Sequence, residues 1–390
     1  MTVASVGRPE KEQLRIGFMR LTDCAPIVMA SVLGFDRRHG IQIVPTREAS
    51  WAGVRDKLAG GELDLAHALY GLVYGLHLGI GGPRKDMAVL MGLNRNGQGI
   101  TLSRALVEAG ALNPAELKRL VVKSPYRLTL AQTFPTGTHA MWLYYWLAAA
   151  GLNPWLDLKV ITMPPPQMVA ALRAGQVDGF SAGEPWNQRA VIDGVGVSAV
   201  TSQQIWQDHP EKVLGCSADF ADRHPHSARA AVSAVLEAAR WIDASTQNKA
   251  RTAETLAAAE YIDTSVDAIL PRLLGAHADG TGHMRVDEHP ACFFDGGAVN
   301  FPYLSDGMWF MTQYRRWGLI AQHPDYLAVA QRINRVDLYR DAAAALGADV
   351  PTDTLRRSTL IDGVVWDGRD PAAYADAFAI HARADAAHPA

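Results

Sequence analysis

The polar side chain of Gln98 follows the end of an apolar run, where it could donate a hydrogen bond to a ligand. Gln98 lies in the stretch Asn96-Gly97-Gln98-Gly99, directly after the apolar run 87–93. The glycines, Gly97 among them, let the backbone approach a ligand closely, and the amide can donate to an oxygen. The alternative is an ordinary turn, for which Asn-Gly is a standard signal. The two interpretations do not compete, because a turn at the end of a strand is also where a ligand loop belongs.

A histidine opens the second candidate segment, Thr136-Gly137-Thr138-His139, just before a helical pattern. Near a helix N-terminus the dipole lowers the proton affinity of His139, so its neutral imidazole could donate to an anion, with Thr138 beside it. A single histidine is more often structural or solvated, so the pattern alone does not settle its role.

Two further candidates have an ordinary interpretation when taken alone. Trp51 follows Ser50, which can cap a helix, and its spacing by itself favours a core tryptophan over a wall of a site. Lys212, in Pro210-Glu211-Lys212, would by default be one more surface lysine. Glu184, in the stretch GEPWN, is interpreted as a hinge or salt-bridge carboxylate rather than a catalytic one.

The elements that must position these residues alternate between strand and helix. Strands are predicted at Leu14–Met19, Ile41–Thr46, Leu63–Leu69, Met87–Leu93, Leu128–Phe134, Leu158–Met163 and Val177–Ala182. Helices are predicted at Ala25–Leu33, Trp51–Ala59, Tyr70–Leu78, Thr138–Ala150 and Pro166–Ala174. This order predicts an α/β protein with mostly parallel sheets.

The two halves repeat one unit with an offset of 114 residues. Leu58, Gly61 and Asp64 match Leu172, Gly175 and Asp178, and the strand starts Leu14 and Leu128 have the same separation. We therefore predict two similar lobes, with residues 14–115 and 218–390 in the first and residues 116–217 in the second. Ligands of open α/β sheets bind beyond the carboxyl ends of the strands, so a ligand cleft is expected between the lobes, with Trp51 and Gln98 facing His139 and Lys212. The segment Phe293–Ile320 and the C-terminal end are expected to wrap onto the first lobe.

Composition and motifs limit the classes of function. A net charge of −3 gives no sign of a surface for nucleic acid or membrane, and no window approaches 18 uninterrupted apolar residues. The stretches HExxH and GxxxxGKS do not occur, and no metal or cofactor is expected. The start of the chain lacks the pattern of an export signal, and the three cysteines form no CxxC pair. These features predict a cytoplasmic protein with reduced thiols.

Seven motifs in one order resemble the nitrate- and bicarbonate-binding proteins of cyanobacterial-type ABC transporters. They are LTDCAP (21–26), EASWAGVRDKL (48–58), LNRNGQGI (93–100), FPTGTHAMWLYYWLAAAGLNP (134–154), GEPWN (183–187), IWQDHPEKVLG (205–215) and FPYLSDGMWFMTQYRRWG (301–318). The resemblance covers roughly residues 14–320. It implies a two-lobed fold of the type II periplasmic-binding-protein kind, a ligand cleft between the lobes, and no enzymatic activity.

The resemblance also implies roles for the candidate residues. It makes Trp51 a wall or donor of the site, places His139 and Gln98 in it, and turns Lys212 into the cleft as a counter-charge. As the resemblance implies, the bicarbonate binders of the family carry an acidic residue and a bound metal at the position of Lys212. The nitrate binders carry lysine there. Lysine only donates hydrogen bonds, which suits nitrate and nitrite, because these anions only accept them.

Three functions from different classes are compatible with the resemblance. The favoured one is a cytoplasmic nitrate or nitrite sensor of the NasS type, which closes on its ligand and thereby controls an RNA-binding antiterminator of the NasT type. The segment Gly71–Pro83 looks more like this branch. The alternative is the substrate-binding subunit of a nitrate ABC importer. The third, an enzyme of the pyrimidine-synthase branch, would need a reactive histidine and metal cluster that the sequence does not show.

Overall fold

The computed structural model describes residues 7–124 and 126–382, which form two five-stranded sheets with helices packed around them. The strands are β1 Gln13–Phe18, β2 Gln42–Arg47, β3 Leu65–Leu69, β4 Met87–Gly92, β5 Gln98–Ser103, β6 Thr129–Gln132, β7 Lys159–Thr162, β8 Gly179–Gly183, β9 Gly196–Thr201, β10 Lys212–Ser217, β11 Ala276–Ala278, β12 Met284–Val286, β13 Ser358–Thr359 and β14 Val365–Trp366.

The α-helices are α1 Ala25–Val32, α2 Phe35–Arg38, α3 Trp51–Gly60, α4 Tyr70–Leu78, α5 Arg104–Glu108, α6 Pro114–Lys123, α7 Thr138–Ala149, α8 Pro165–Arg173, α9 Trp186–Ile192, α10 Ser202–Ile205, α11 Ala218–Arg223, α12 Pro225–Asp243, α13 Thr246–Ala257, α14 Val266–Leu274, α15 Leu304–Arg316, α16 Tyr326–Ile333, α17 Val336–Ala345 and α18 Pro371–Asp376. Two short 3-10 turns lie at Thr22–Cys24 and Asp295–Gly297. The helices and strands predicted from the sequence are present, with ends that differ by a few residues.

The two sheets have the same topology. The first has the order β2-β1-β3-β10-β4, and the second has the order β7-β6-β8-β5-β9. In each, the second strand is parallel to the edge strand beside it and to the third strand (β1 to β2 and β3, β6 to β7 and β8). The fourth strand of each, β10 or β5, is antiparallel to both neighbours. We call each sheet with its helices a lobe.

Hydrogen bonding confirms the repeat of 114 residues. The carboxylate of Asp64 accepts the backbone N–H of Arg15 at 2.9 Å, and the carboxylate of Asp178 accepts the N–H of Thr129 at 2.7 Å. The backbone N–H groups of the two aspartates also donate to the carbonyls of the same two residues. Both pairs tie the segment before the third strand of a sheet to the second strand, so the similarity of the halves is structural.

The boundary between the lobes differs from the prediction at both ends. Residues 98–115 were assigned to the first lobe, but β5 pairs with β8 and β9 in the second sheet. Residues 202–217 were assigned to the second lobe, but β10 pairs with β3 and β4 in the first sheet. The chain therefore crosses between the lobes at 93–97 and again at 202–211. The prediction missed this because β5 and β10 each insert antiparallel into the sheet of the other lobe. The order of elements along the chain does not indicate which sheet a strand joins.

The C-terminal third contacts both lobes, whereas the prediction placed its wrap on the first lobe alone. The hairpin of β11 and β12 reaches the second lobe, where Ser198 donates its N–H to the carbonyl of Asp279 at 2.8 Å. Trp309 on α15 packs against Trp142 on α7, with ring centroids 4.8 Å apart. Trp206, from the second crossing, completes this buried aromatic cluster at 5.1 Å from Trp309. The C-terminal region thus ties the lobes together.

No helix among the described residues combines the length and the apolar character that a membrane crossing requires. The three cysteines are free thiols, two of them buried and Cys292 partly exposed.

Candidate functional site

A buried ion pair lies at the centre of the candidate site. Lys212, the first residue of β10, donates from Nζ to Oδ2 of Asp23 at 2.7 Å, and its side chain is completely buried. Asp23 belongs to the 3-10 turn after β1, and its Oδ1 lies 2.7 Å from Nε2 of His67 on β3. Because Nδ1 of His67 accepts the backbone N–H of Met19 at 3.3 Å, its proton is on Nε2, and the ring is a neutral donor to Asp23.

Burial and charge act in opposite directions on this pair. Burial by itself would raise the pKa of Asp23, but the charge of Lys212 and the hydrogen bond from His67 outweigh it and hold that pKa well below its usual range. Burial lowers the pKa of the Lys212 ammonium group, and the carboxylate of Asp23 offsets part of that effect. Asp23 and Lys212 therefore form an ion pair at neutral pH.

A second carboxylate, Glu211, touches the same lysine. Its oxygens accept from Nζ of Lys212 and from Nε2 of Gln98, and its Oε1 lies 3.6 Å from Nε2 of His139. The side chain of Glu211 is completely buried. Three of the residues predicted to form the site therefore meet around one carboxylate.

His139 is held by the start of α7 as a neutral ring. Gly137 caps the helix in an extended conformation, and Nδ1 of His139 lies 2.6 Å from the hydroxyl of Thr133. Burial, followed by the charge of Lys212, lowers the pKa of His139 well below its ordinary value. Nε2 of His139 and the hydroxyl of Thr138 have no hydrogen-bond partner among the described residues, so both are available to a ligand.

Close contact between the lobes at this point requires a glycine. A Cβ on Gly183, the last residue of β8, would lie 3.4 Å from Nε2 of His139 and 3.5 Å from Oδ2 of Asp23. Any side chain there would occupy the space between one lobe's histidine and the other lobe's aspartate.

Trp51 lies against the cluster, and its role in holding a ligand stays a prediction. It is the first residue of α3, which Ser50 caps by accepting the N–H of Gly53 at 3.1 Å. Its ring lies 5.6 Å from the ring of His67, and Nζ of Lys212 lies 5.7 Å from its centroid. The indole N–H is buried and has no hydrogen-bond partner in the described part of the chain. It is a donor without an acceptor.

Gln98 begins β5 instead of lying within a turn. The Asn-Gly pair just before it takes left-handed backbone conformations, with φ of 59° at Asn96 and 85° at Gly97. The backbone N–H of Gln98 donates to the hydroxyl of Ser202 at 3.2 Å. This bond joins the start of β5 to the start of α10. The amide oxygen of Gln98 has no partner among the described residues.

The six residues predicted for the site come together, but not in the arrangement predicted. Trp51 and Lys212 belong to the first lobe, while Gln98 and His139 belong to the second, with Gly97 in the first crossing and Thr138 beside His139. The prediction paired Trp51 with Gln98 and His139 with Lys212, because it placed β5 and β10 in the wrong lobes. Each lobe still contributes two side chains.

Three buried residues of the cluster were not identified from the sequence: Asp23, His67 and Glu211. Asp23 lies in LTDCAP, a motif that carried the resemblance, directly after a strand, so the rule that ligands gather at strand ends could have selected it. Nothing in the spacing distinguishes His67, which lies inside an apolar strand. Glu184, by contrast, forms the expected salt bridge, with Arg272 at 2.8 Å.

The site is closed. Beside it lies a cavity of about 10 Å³, room for about one water molecule, lined by residues of both lobes, among them Asp23, Gly97 and Glu184. Four larger cavities, of about 650, 610, 660 and 260 Å³, are lined by other residues and do not reach the cluster. No group of three or more His, Cys, Asp or Glu residues in the described ranges is arranged to hold a metal. The cluster offers hydrogen-bond donors and the ammonium group of Lys212, a combination that suits the binding of an anion.

Two similar lobes joined by two crossings, with polar groups from both at the junction, define a two-lobed binding protein. The crystal structure of the periplasmic nitrate-binding protein NrtA from Synechocystis PCC 6803 matches with a TM-score of 0.91 and 36% identity, over 96% of this chain and 100% of that one. The alkanesulfonate-binding protein SsuA from Xanthomonas axonopodis pv. citri shares the fold alone, with a TM-score of 0.60 and 16% identity over 83% of this chain and 98% of that one. The predicted periplasmic-binding-protein fold is confirmed.

Sequence comparison identifies the family. The NMT1-like family matches residues 7–257. The nitrate/nitrite binding protein NrtA of Synechocystis sp. is 36% identical over 95% of this chain and 86% of that protein. The bicarbonate transport ATP-binding protein CmpC of the same organism is 38% identical over 95% of this chain, but this chain spans only 56% of that protein. The chain belongs to the NMT1-like family and is similar to NrtA, which confirms the prediction that it is not an enzyme.

Proposed function

We propose that this chain binds nitrate or nitrite between its lobes, as the substrate-binding subunit of a nitrate ABC importer. The observation that carries the proposal is the meeting of Trp51, Gln98, His139 and Lys212 from both lobes in one buried cluster. The likeness to NrtA over almost the whole chain supports the choice of ligand and of role. It favours the importer over the sensor that the sequence analysis preferred.

The geometry gives each group a function in binding. The ammonium of Lys212 supplies the positive charge, the indole of Trp51 supplies a flat wall and an N–H, and Gln98 and His139 supply donors from the other lobe. An anion held this way touches both lobes, so it binds the closed form better than the open form and drives closure.

Glu211 weakens the earlier argument against bicarbonate. A site of donors alone suits nitrate, but the carboxylate of Glu211 is an acceptor in contact with Lys212 and Gln98. Bicarbonate has an O–H that could use this acceptor. The choice between the anions therefore needs a direct measurement.

Calorimetric titration of the purified protein with nitrate, nitrite and bicarbonate tests the ligand. We expect saturable binding of nitrate or nitrite at one site per chain and at least tenfold weaker binding of bicarbonate. Binding of bicarbonate alone would overturn the proposal, and so would binding of none of the three.

The sensor is the second candidate, favoured by the segment Gly71–Pro83. This segment forms α4, where Gly71 and Gly75 pack closely against Thr136, next to the start of α7. In this proposal the protein is cytoplasmic and holds an antiterminator of the NasT type until nitrate releases it.

Light scattering of the protein mixed with such a partner, with and without nitrate, tests the sensor. Stimulation of a membrane-embedded transporter's ATPase by the loaded protein tests the importer.

A further inference from the structure

The buried cluster contains two carboxyl groups and one ammonium group. The ionisable groups around Glu211 come from five segments, namely Lys212 on β10, Asp23 in the turn after β1, His67 on β3, His139 on α7 and His209 in the second crossing. His67 is neutral because its Nδ1 accepts a backbone N–H, and burial lowers the pKa of both His139 and His209. Two carboxylates thus face one ammonium group.

Glu211 holds the donors that a bound anion would need. Its two oxygens contact Nε2 of Gln98 and Nζ of Lys212, and one of them lies 3.6 Å from Nε2 of His139. A carboxylate is planar and accepts hydrogen bonds through two oxygens, as nitrite does. An anion can therefore use these donors only if Glu211 gives them up, and the charge of the Glu211 carboxylate would then repel the anion in a buried site.

One proton removes both obstacles. A protonated Glu211 no longer competes as an anion for Lys212, and its O–H becomes a donor to the ligand. We propose that Glu211 makes the site bind nitrate or nitrite together with one proton from the solvent. This inference rests on the proposed function and adds a specificity-determining residue to it.

The proton also separates the two anion classes in the family. Nitrate and nitrite bring no proton of their own, so Glu211 must take one from water as they bind. Bicarbonate brings an O–H that it can donate to the Glu211 carboxylate, so its binding requires no uptake. The charge state of one buried carboxyl group then decides between the two ligands.

The first test measures proton uptake by the unmodified protein. Nitrate is titrated calorimetrically at several pH values from about 6 to about 8, each in two buffers with different ionisation enthalpies. We expect uptake of about one proton per nitrate and an affinity that rises about tenfold for each unit by which the pH is lowered. Nitrate binding without uptake and with one affinity across this range would overturn the inference while leaving the proposed function intact. If neither nitrate nor nitrite binds at any pH, the proposed function itself fails and the inference fails with it.

The second test assigns the proton. Glu211→Gln keeps the shape and places an N–H donor where the protonated acid has its O–H, so at about pH 8 we expect at least tenfold tighter nitrate binding than in the unmodified protein, with no proton uptake. Glu237→Gln is the control, because that carboxylate pairs with His39 on another part of the first lobe, and its variant should behave as the unmodified protein. Uptake that persists in Glu211→Gln and disappears in His139→Gln would assign the proton to His139 and overturn the role of Glu211.

Discussion

At the scale of the residue, the site contains buried donors that lack acceptors, beside the two donors that Glu211 holds. The indole N–H of Trp51, Nε2 of His139 and the hydroxyl of Thr138 are buried without hydrogen-bond partners among the described residues. Unpaired buried donors weaken a fold unless they serve another purpose, and an anion that bridges the lobes would satisfy them.

Replacement of Trp51 by phenylalanine tests whether its N–H is used. Trp51→Phe keeps most of the wall and removes the donor, so we expect nitrate affinity to fall about tenfold, the effect of one lost hydrogen bond to a charged acceptor. Calorimetry measures the affinity. Trp317→Phe is the matched control, since the indole N–H of Trp317 is also buried and without a partner in the described residues, but away from the cluster. Equal effects of the two substitutions would contradict the role of Trp51.

At the scale of the element, the ends of helices hold the repeat together. α3 is followed by Gly61, with φ of 77°, and α8 is followed by Ala174 and then Gly175, with φ of 66°. These are the equivalent positions of the repeat, and in both the chain turns through the left-handed region to enter the next strand.

Alanine substitutions at the end of α3 have opposite expected effects. Gly61→Ala forces an L-residue into the left-handed region, so the free energy of unfolding should fall by about 1 kcal/mol. No atom lies within 4 Å of the added Cβ, so crowding does not contribute. Gly60→Ala, one position earlier and within the helix, should leave stability unchanged or raise it by about 0.5 kcal/mol. Urea denaturation of the two variants measures the difference, and a loss of equal size in both would refute the explanation.

The start of α12 gives a prediction for pH. The carboxylate of Glu10 accepts the N–H groups of His226 and Ser227, at 3.1 and 3.0 Å. Burial would raise the pKa of Glu10, but these hydrogen bonds lower it to about 2. Because the folded pKa lies below the unfolded one, the ionised Glu10 stabilises the fold above about pH 4.5, and this contribution is lost as the pH falls towards 2.

Glu10→Gln should therefore lower the free energy of unfolding by about 1 kcal/mol at neutral pH, the usual effect of a charged group at a helix N-terminus. The difference from the unmodified protein should shrink as the pH is lowered below about 4.5. Glu12→Gln serves for comparison, since Glu12 pairs only with Arg8 on the surface. Denaturation curves at several pH values measure both, and a difference that is independent of pH would count against the assignment.

At the scale of the whole molecule, the described conformation is closed. The N–H of Thr22 donates to the carbonyl of Glu184 at 2.7 Å, and the indole of Trp186 donates to the carbonyl of Arg20 at 2.8 Å. These contacts join the turn after β1 in the first lobe to the segment after β8 in the second. Lys212 is completely buried, so the lobes must separate before an anion can reach it.

Removing one contact between the lobes should shift the equilibrium towards the open form. Trp186→Phe deletes the hydrogen bond to Arg20, so we expect nitrate affinity to fall by a factor of about 5, close to 1 kcal/mol. X-ray scattering should show a larger radius of gyration without ligand. Trp366→Phe deletes a comparable bond, to the carbonyl of Ser305 at 3.0 Å, which does not join the lobes. If both variants keep full affinity and an unchanged radius, the contact does not stabilise the closed form.

The sequence by itself determined the elements, the repeat and the identities of the main site residues. Apolar periodicity marked the strands and helices, and the 114-residue offset placed Asp64 and Asp178 in equivalent positions because both copies use the same helix-to-strand join. The motif resemblance supplied Trp51, Gln98, His139 and Lys212.

Only the tertiary structure decided which lobe holds β5 and β10, because an antiparallel strand inserted into a distant sheet has no signature along the chain. That exchange placed Lys212 beside Trp51 instead of across from it. It also placed Glu211, the residue before β10, in contact with Lys212 in the buried junction between the lobes. The balance of charge in the site depends on such contacts between residues far apart in sequence, and spacing carries no information about it.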